Sequence, residues 1–239
     1  MNTVVVTGAA GGMGRAVVER CLADGFGLLA VDIDGAGLAQ LADAHRGSVT
    51  AIEFDIGRAD VGEVIAAALP DGLLKGIVNL AGISRGAAIA TGTDADWDRS
   101  MAVNVNAPMR ICRSLVPRMI EGGGGSIVNV SSPVAVLGAR KVAYSASKAA
   151  LLGLNVAMAR DLGRWGIRVN AVFPGATITG LTDDWPAEKR AAIAKESFLG
   201  RLCTPEEVAS VVSFLLGSDS SFITGTVIDV TGGAALGAH

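Results

Sequence analysis

The sequence predicts a doubly wound α/β domain, one parallel sheet of about seven strands with helices on both faces. Three observations predict it. Short β-branched runs and helix-forming runs alternate from one end of the 239 residues to the other. The first strand run is β-branched and lacks the polar alternation of a half-exposed strand, as strands buried on both faces do. It feeds a glycine-rich turn, Gly8-Ala9-Ala10-Gly11-Gly12-Met13-Gly14, that opens a helix. The length favours a single domain over 1–239.

Composition narrows the classes of function. Half the residues are hydrophobic, enough for a large core, and the net charge is −3 with no basic block, so nucleic acid is not an expected partner. No apolar run approaches the roughly 18 residues of a membrane span, and Met1 to Gly8 lacks the charged segment of a secretory signal. Cys21, Cys112 and Cys203 are scattered and odd in number, which reads as reduced thiols in a cytoplasmic protein. His45 and His239 belong to no ligand cluster, so no metal site is expected.

The elements follow in order. Asn2 to Thr7 is a buried strand. The helix after the glycine turn places Val17, Val18, Cys21 and Leu22 on one side. Gly27 to Val31 is the second strand, ending in Asp32, Ile33 and Asp34. Gly37 to His45 is a helix and Ser48 to Phe54 a third strand, closed by Asp55 and Ile56. Val61 to Leu69 is a helix stopped by Pro70-Asp71-Gly72. Gly76 to Asn79 is a fourth strand, followed by Leu80, Ala81 and Gly82. Asp94 to Cys112 is helical and carries Asn104 in its interior, where a buried amide needs a partner. Pro117 and the glycines at 122–125 lead into the fifth strand, which ends at Val130. A helix runs from Tyr144 to about Leu162, and Arg168 to Phe173 is the sixth strand. Pro174, Gly175, Ala176, Thr177, Ile178 and Thr179 come next. The stretch 179–200 reads as a lid over a substrate. Thr204 caps a helix over Pro205 to Leu216, with Glu206 and Glu207 in its first turn. Gly225 to Val230 is the last strand.

Two stretches carry chemistry. The glycine turn lets backbone approach a diphosphate at a helix N-terminus, where unpaired N–H groups face an anion. Its spacing is GxxxGxG rather than GxGxxG. Asp32, at the tip of the second strand, can accept hydrogen bonds from an adenosine ribose and repels a 2′-phosphate. No Arg or Lys adjoins it, so NAD is expected over NADP. In the second stretch, Ser131 to Lys148, Tyr144 and Lys148 lie four apart and share a helix face. An ammonium nearby lowers a phenol's pKa, which turns tyrosine into a usable acid/base. Tyr144 is the only tyrosine in the chain.

With these residues in place, the chain resembles the short-chain dehydrogenase/reductase family over its whole length. The resemblance implies a Rossmann-type fold. It rests on Thr7-Gly8-x-x-x-Gly12-x-Gly14, Asn79-Leu80-Ala81-Gly82 (Leu replacing the family's second Asn), Asn104, Tyr144-x-x-x-Lys148 and Pro174-Gly175 with Thr179. It implies that Asp55 meets the adenine ring, that Asn79, Ala81, Gly82, Pro174, Gly175, Thr177 and Thr179 border the cofactor, and that Asn104 holds a relay water. It also implies that Lys148 binds the nicotinamide ribose and that the assembly is a homotetramer or homodimer. For the active-site serine, counting back from Tyr144 picks Ser131. The strand pattern picks Ser132, which we follow because a one-residue slip turns a side chain to the other face.

The expected activity is NAD-dependent hydride transfer between nicotinamide and a secondary alcohol or ketone. Tyr144 passes the proton and Ser132 bonds the reacting oxygen. Ser84, Val134, Leu137, Leu181, Trp185 and Phe198 are the expected substrate lining. Two other readings stand beside it: a non-catalytic dinucleotide-bound sensor on the same fold, and an NADPH-dependent ketoacyl-thioester reductase. The latter would favour basic residues around Ala9, Ala10 and Ile33, which are absent.

Overall fold

The computed structural model describes residues 2–179 and 185–235. Its strands are β1 (Asn2–Thr7), β2 (Gly27–Asp32), β3 (Val49–Glu53), β4 (Leu73–Asn79), β5 (Gly125–Val130), β6 (Ile167–Pro174) and β7 (Val227–Val230). They form one sheet in the order β3-β2-β1-β4-β5-β6-β7, every neighbouring pair parallel. The order reverses between β1 and β4, which opens a crevice beyond their carboxyl ends.

Strand alternation divides the core in two. Val4, Val6, Leu28, Ala30, Val78, Val128 and Val172 pack under α1 (Gly12–Ala23) and α2 (Gly35–Ala44) and a C-terminal helix bearing Val208, Val212 and Leu215. Val5, Leu29, Val31, Ile77, Ile127 and Val169 pack on the other face, against α3 (Val61–Ala67) and two longer helices. The first of these begins as α4 (Asp94–Met101), passes through a π-helical segment, Ala102–Asn106, and continues as α5 (Ala107–Glu121). A short α6 (Val134–Leu137), not foreseen from sequence, precedes α7 (Val142–Leu162). The 179–200 stretch contains α8 (Ala187–Ala194), and residues 180–184 fall outside the described residues. The last helix is α9 (Pro205–Leu216), where Glu207 accepts the Thr204 N–H at 2.9 Å.

Two expectations are corrected here. Pro117 does not lead out of a helix but lies inside α5, on its exposed side. There the carbonyl that proline leaves without a donor faces water. The stretch Val142–Trp165 is, by length and composition alone, apolar enough to cross a bilayer. Its richness in Ala and Leu serves packing on the sheet, and its buried face includes Ser147, Lys148 and Asn155.

Candidate active site

The crevice at the reversal holds a cleft of about 670 Å³. That size lies within the range of small-molecule and cofactor sites. Its wall includes Gly8, Gly11, Gly12, Met13, Gly14, Asp32, Asp55, Ile56, Ala81, Gly82 and Thr179. All of these were named from the sequence. Ala10, Val31, Ile33, Phe54, Leu80, Ile83, Arg85, Arg99 and Val103 complete it, and of these Arg99 gave no signal in the sequence.

The glycine turn folds back on itself. Gly8 has φ +73°, and a Cβ there would stand 2.9 Å from the Ala81 backbone. A Cβ on Gly14 would lie inside the carbonyl oxygen of Gly8. Gly11 differs: the nearest atom to a Cβ is 3.6 Å away, and the residue is open to the cleft. Thr7 ties this turn to the end of β4, its hydroxyl accepting the N–H groups of Leu80 and Ala81 at 3.2 Å each. A cradle of glycine backbone at the N-terminus of α1, with an acid across it, suits the diphosphate and ribose of a dinucleotide.

Asp32 has a structural task as well. Its carboxylate accepts the N–H of Ala10 at 2.9 Å, of Ile33 at 2.7 Å and of Asp34 at 3.1 Å. Asp55 pairs with Arg99 at 2.9 Å and accepts the Gly57 N–H at 2.9 Å. Arg99 holds the Asp55 carboxyl below the usual carboxylate range. Local sequence gives no signal for this pair, because 44 positions separate the partners.

Asn79 is a correction. It shares the face of Ile77, so its side chain turns into the helical layer. There it donates to Asn129 Oδ1 at 2.9 Å and to Cys112 Sγ at 3.6 Å, away from the cleft wall. Thr177 is another: it is 6% exposed and donates to the Gly175 carbonyl at 2.9 Å. Gly175 is packed on Thr231, and of the 174–179 segment only Thr179 borders the cleft.

Beyond the cleft lie Ser131, Ser132, Tyr144 and Lys148. Ser131 donates to the Lys148 carbonyl at 3.0 Å, so its hydroxyl is engaged with backbone. Ser132, whose hydroxyl accepts the Val134 N–H at 3.5 Å, neighbours the half-buried Tyr144 and draws its phenol's pKa downward. Lys148 is 4% exposed and its Nζ donates to the Val130 carbonyl at 2.8 Å. That Nζ stands 5.9 Å from the centre of the Tyr144 ring. Gly82 closes over it: a Cβ there would approach Lys148 Nζ to 3.1 Å and Asn104 Oδ1 to 3.2 Å.

The electrostatics overturn one expectation. Burial raises the Tyr144 phenol above its ordinary value, and the neighbouring Ser132 hydroxyl acts in the opposite direction. The Lys148 ammonium, 5.9 Å from the ring centre, hydrogen-bonds the Val130 carbonyl. Lys148 is itself depressed from 10.5 to about 8 by burial. A lysine with a lowered folded pKa destabilises the fold where it is charged, and that penalty fades as pH rises from about 8 toward 10.5. The stability of wild type minus that of Lys148→Met should therefore rise with pH, by up to about 1.4 kcal/mol per unit across that window. Urea denaturation of the two proteins at about pH 7, 8 and 9 measures this, and a flat difference would contradict the assignment.

Asn104 is held by its side chain. Both its amide hydrogens are taken, by the Ile83 carbonyl and the Ser147 hydroxyl at 2.9 Å each, and its Oδ1 accepts the Ile83 N–H at 2.9 Å. The side chain braces the segment that follows β4.

The expected substrate lining is only partly assembled. Exposed Ser84 accepts from Lys141 Nζ at 3.3 Å, and Val134 lies on α6, where its carbonyl accepts from Ser145 at 2.7 Å. Leu137 is 42% exposed. Trp185 lies 4.3 Å beneath Lys189 Nζ. Phe198 is a correction: its N–H is bonded to the Gly232 carbonyl at 2.9 Å and its ring lies at Gly233, so it belongs to the C-terminal turn. Leu181 is outside the described residues.

Residues 8–235 match the sequence model of a family described as enoyl-(acyl carrier protein) reductase. The (3R)-3-hydroxyacyl-CoA dehydrogenase of Mus musculus is 33% identical over 244 residues, spanning 96% of this chain and 94% of that one. The 3-oxoacyl-[acyl-carrier-protein] reductase of Thermotoga maritima is 36% identical over 238 residues, 97% of each chain. A solved structure of 3-ketoacyl-(acyl-carrier-protein) reductase from Brucella melitensis, complexed with NADH, is similar with a TM-score of 0.91 at 30% identity over 98% of both chains.

Proposed function

This chain belongs to the short-chain dehydrogenase/reductase family and is an oxidoreductase of hydroxyl and ketone groups that uses a nicotinamide cofactor; we propose that the cofactor is NAD and that the substrate is an apolar secondary alcohol or its ketone. One observation carries this reading: a half-buried tyrosine beside a serine, with a buried lysine behind, next to a glycine-walled cleft.

A bound nicotinamide supplies the hydride in reduction and takes it in oxidation. Tyr144 gives its Oη proton to the ketone oxygen or takes one from the alcohol. Ser132 hydrogen-bonds the same oxygen and orients it. Lys148, held by the Val130 carbonyl, places an ammonium where ribose hydroxyls and the Tyr144 oxygen can share it. Below about pH 8 that ammonium is charged. Asp32 supports the choice of NAD, because its carboxylate stands in the cleft wall with no arginine or lysine beside it in sequence.

We further assign the enzyme to the cytoplasm, supported by three free cysteines. We assign it a homotetrameric or homodimeric assembly, supported by exposed Val156 on α7, Phe214 on α9 and the fully exposed Phe222. Sedimentation velocity checks the assembly.

A second reading, reduction of an acyl thioester on a phosphate-bearing carrier, is favoured by the activities named for the relatives. Exposed Arg85, Arg140 and Lys141 also favour it, none paired with a carboxylate among the described residues. Absorbance assays with apolar ketones beside 3-oxoacyl thioesters decide between the two. For the cofactor, Asp32→Asn retains an acceptor for the backbone but removes the charge. We expect it to lower the NAD/NADP ratio of kcat/KM by about tenfold or more. An unchanged ratio would reject Asp32 as the selector.

A further inference from the structure

Three buried amides take no part in proton transfer: Asn79 on β4, 2% exposed, and Asn129 on β5 and Asn155 on α7, both 0% exposed. Asn79 and Asn129 are register partners and therefore share a face. Asn79 donates to Asn129 at 2.9 Å, Asn129 donates to Asn155 at 3.0 Å, and Asn155 donates to the Thr226 carbonyl at 3.5 Å. The result is one hydrogen-bonded line crossing two strands, a helix and the loop before β7.

The same boundary carries a second set of polar contacts. Ser131, two residues beyond Asn129 and on the same side of the chain, donates to the Lys148 carbonyl, and Lys148 Nζ donates to Val130. Lys148 and Asn155 are two turns apart on one face of α7. Apart from Ser147, which accepts from Asn104 rather than from β5, the rest of the buried face is small or aliphatic: Ala143, Leu151, Ala159 and Leu162. Contacts of that kind are non-directional and tolerate a shift of the helix along the strand. Buried amides do not, since a lost partner leaves a desolvated donor or acceptor. The line even ends in an uncompensated group, because Asn79 Oδ1 has no partner among the described residues. An apolar trio would avoid that penalty, so stability alone does not account for the amides.

Ser132 follows the strand side of this boundary and Tyr144 rides on the helix side. We infer that Asn129 and Asn155, with Ser131, are positioning residues that pin α7 to β5 and thereby set Tyr144 against Ser132. The inference rests on Tyr144 being the proton-transfer residue, as proposed above.

The test measures Asn129→Leu, Asn155→Leu and Ser131→Ala beside Tyr144→Phe, with active sites counted by NADH fluorescence. Displacement of the helix should lower kcat per site by about tenfold to 10²-fold, as a misplacement of order 1 Å does. KM for the nucleotide should change less than about threefold, since the cleft wall contains none of the three. The primary deuterium isotope effect on alcohol oxidation should rise, because chemistry becomes rate-limiting. A purely structural role lowers the number of sites and leaves the isotope effect unchanged. Wild-type kcat per site and isotope effect in the folded variants would overturn the inference. If the Leu variants do not fold, Ser131→Ala, which loses one hydroxyl, decides alone. Undiminished turnover in Tyr144→Phe would instead sink the reading on which the inference rests.

Discussion

Tyr144→Phe is expected to lower kcat by about 10²- to 10⁴-fold in both directions, the span that a positioned acid/base contributes, while NADH binds within about twofold of wild type. The phenol lies outside the cleft wall, so the nucleotide contacts stay in place. A kcat that falls in step with nucleotide affinity would place Tyr144 in binding rather than in proton transfer. Because this is the chain's only tyrosine, no second phenol can substitute. Residual turnover therefore measures what Ser132, Lys148 and the bound nicotinamide achieve without it.

The second large effect is expected at the glycine turn, and two substitutions separate folding from binding. Gly14→Ala puts a methyl inside the Gly8 carbonyl, where the obstacle is backbone and cannot swing away. The turn must open, and we expect a loss of about 1–3 kcal/mol in the cofactor-free protein together with loss of measurable NADH binding. Gly11→Ala meets no atom closer than 3.6 Å, and its backbone, at φ −71° and ψ 166°, suits alanine. Its methyl enters the cleft instead, so stability should hold within about 0.5 kcal/mol while NADH affinity falls at least about tenfold. Thermal unfolding and NADH fluorescence titration distinguish the two. Equal destabilisation by both would mean that the turn is held by something other than the Gly8–Gly14 approach.

The parallel sheet was legible because a strand buried on both faces shows no polar alternation, and β1, β2 and β5 carry unbroken apolar runs at 4–6, 28–31 and 127–128. The glycine turn was legible because close backbone approach admits only one residue type, and Tyr144 with Lys148 because helical spacing is local. What escaped depends on distance and depth. The Arg99–Asp55 pair joins α4 to the end of β3, and nothing near either residue announces the other. Asn79 lies beside the residues that do border the cleft, yet strand alternation turns it inward, where Asn129 meets it. Spacing showed that Lys148 stands near Tyr144. It did not show that the Val130 carbonyl draws off the ammonium, nor that burial outweighs charge at the phenol. Pro117 misled because a proline on the wet side of a helix is tolerated where one on the packed side is not.

The π-helical segment Ala102–Asn106 contains one residue more than an α-helix of the same rise would need. Each residue turns an α-helix by about 100°, so the extra one resets the angular phase of everything after it. Within the segment, Asn104 reaches Ile83 and Ser147. Downstream, the phase aims Ile111, Leu115 and Met119 at the sheet. Deleting a single residue here would leave the composition of α5 almost untouched and rotate its apolar stripe toward solvent. The segment is a phase shifter, so two unrelated demands, bracing the active-site segment and filling the core, are met by one uninterrupted rod.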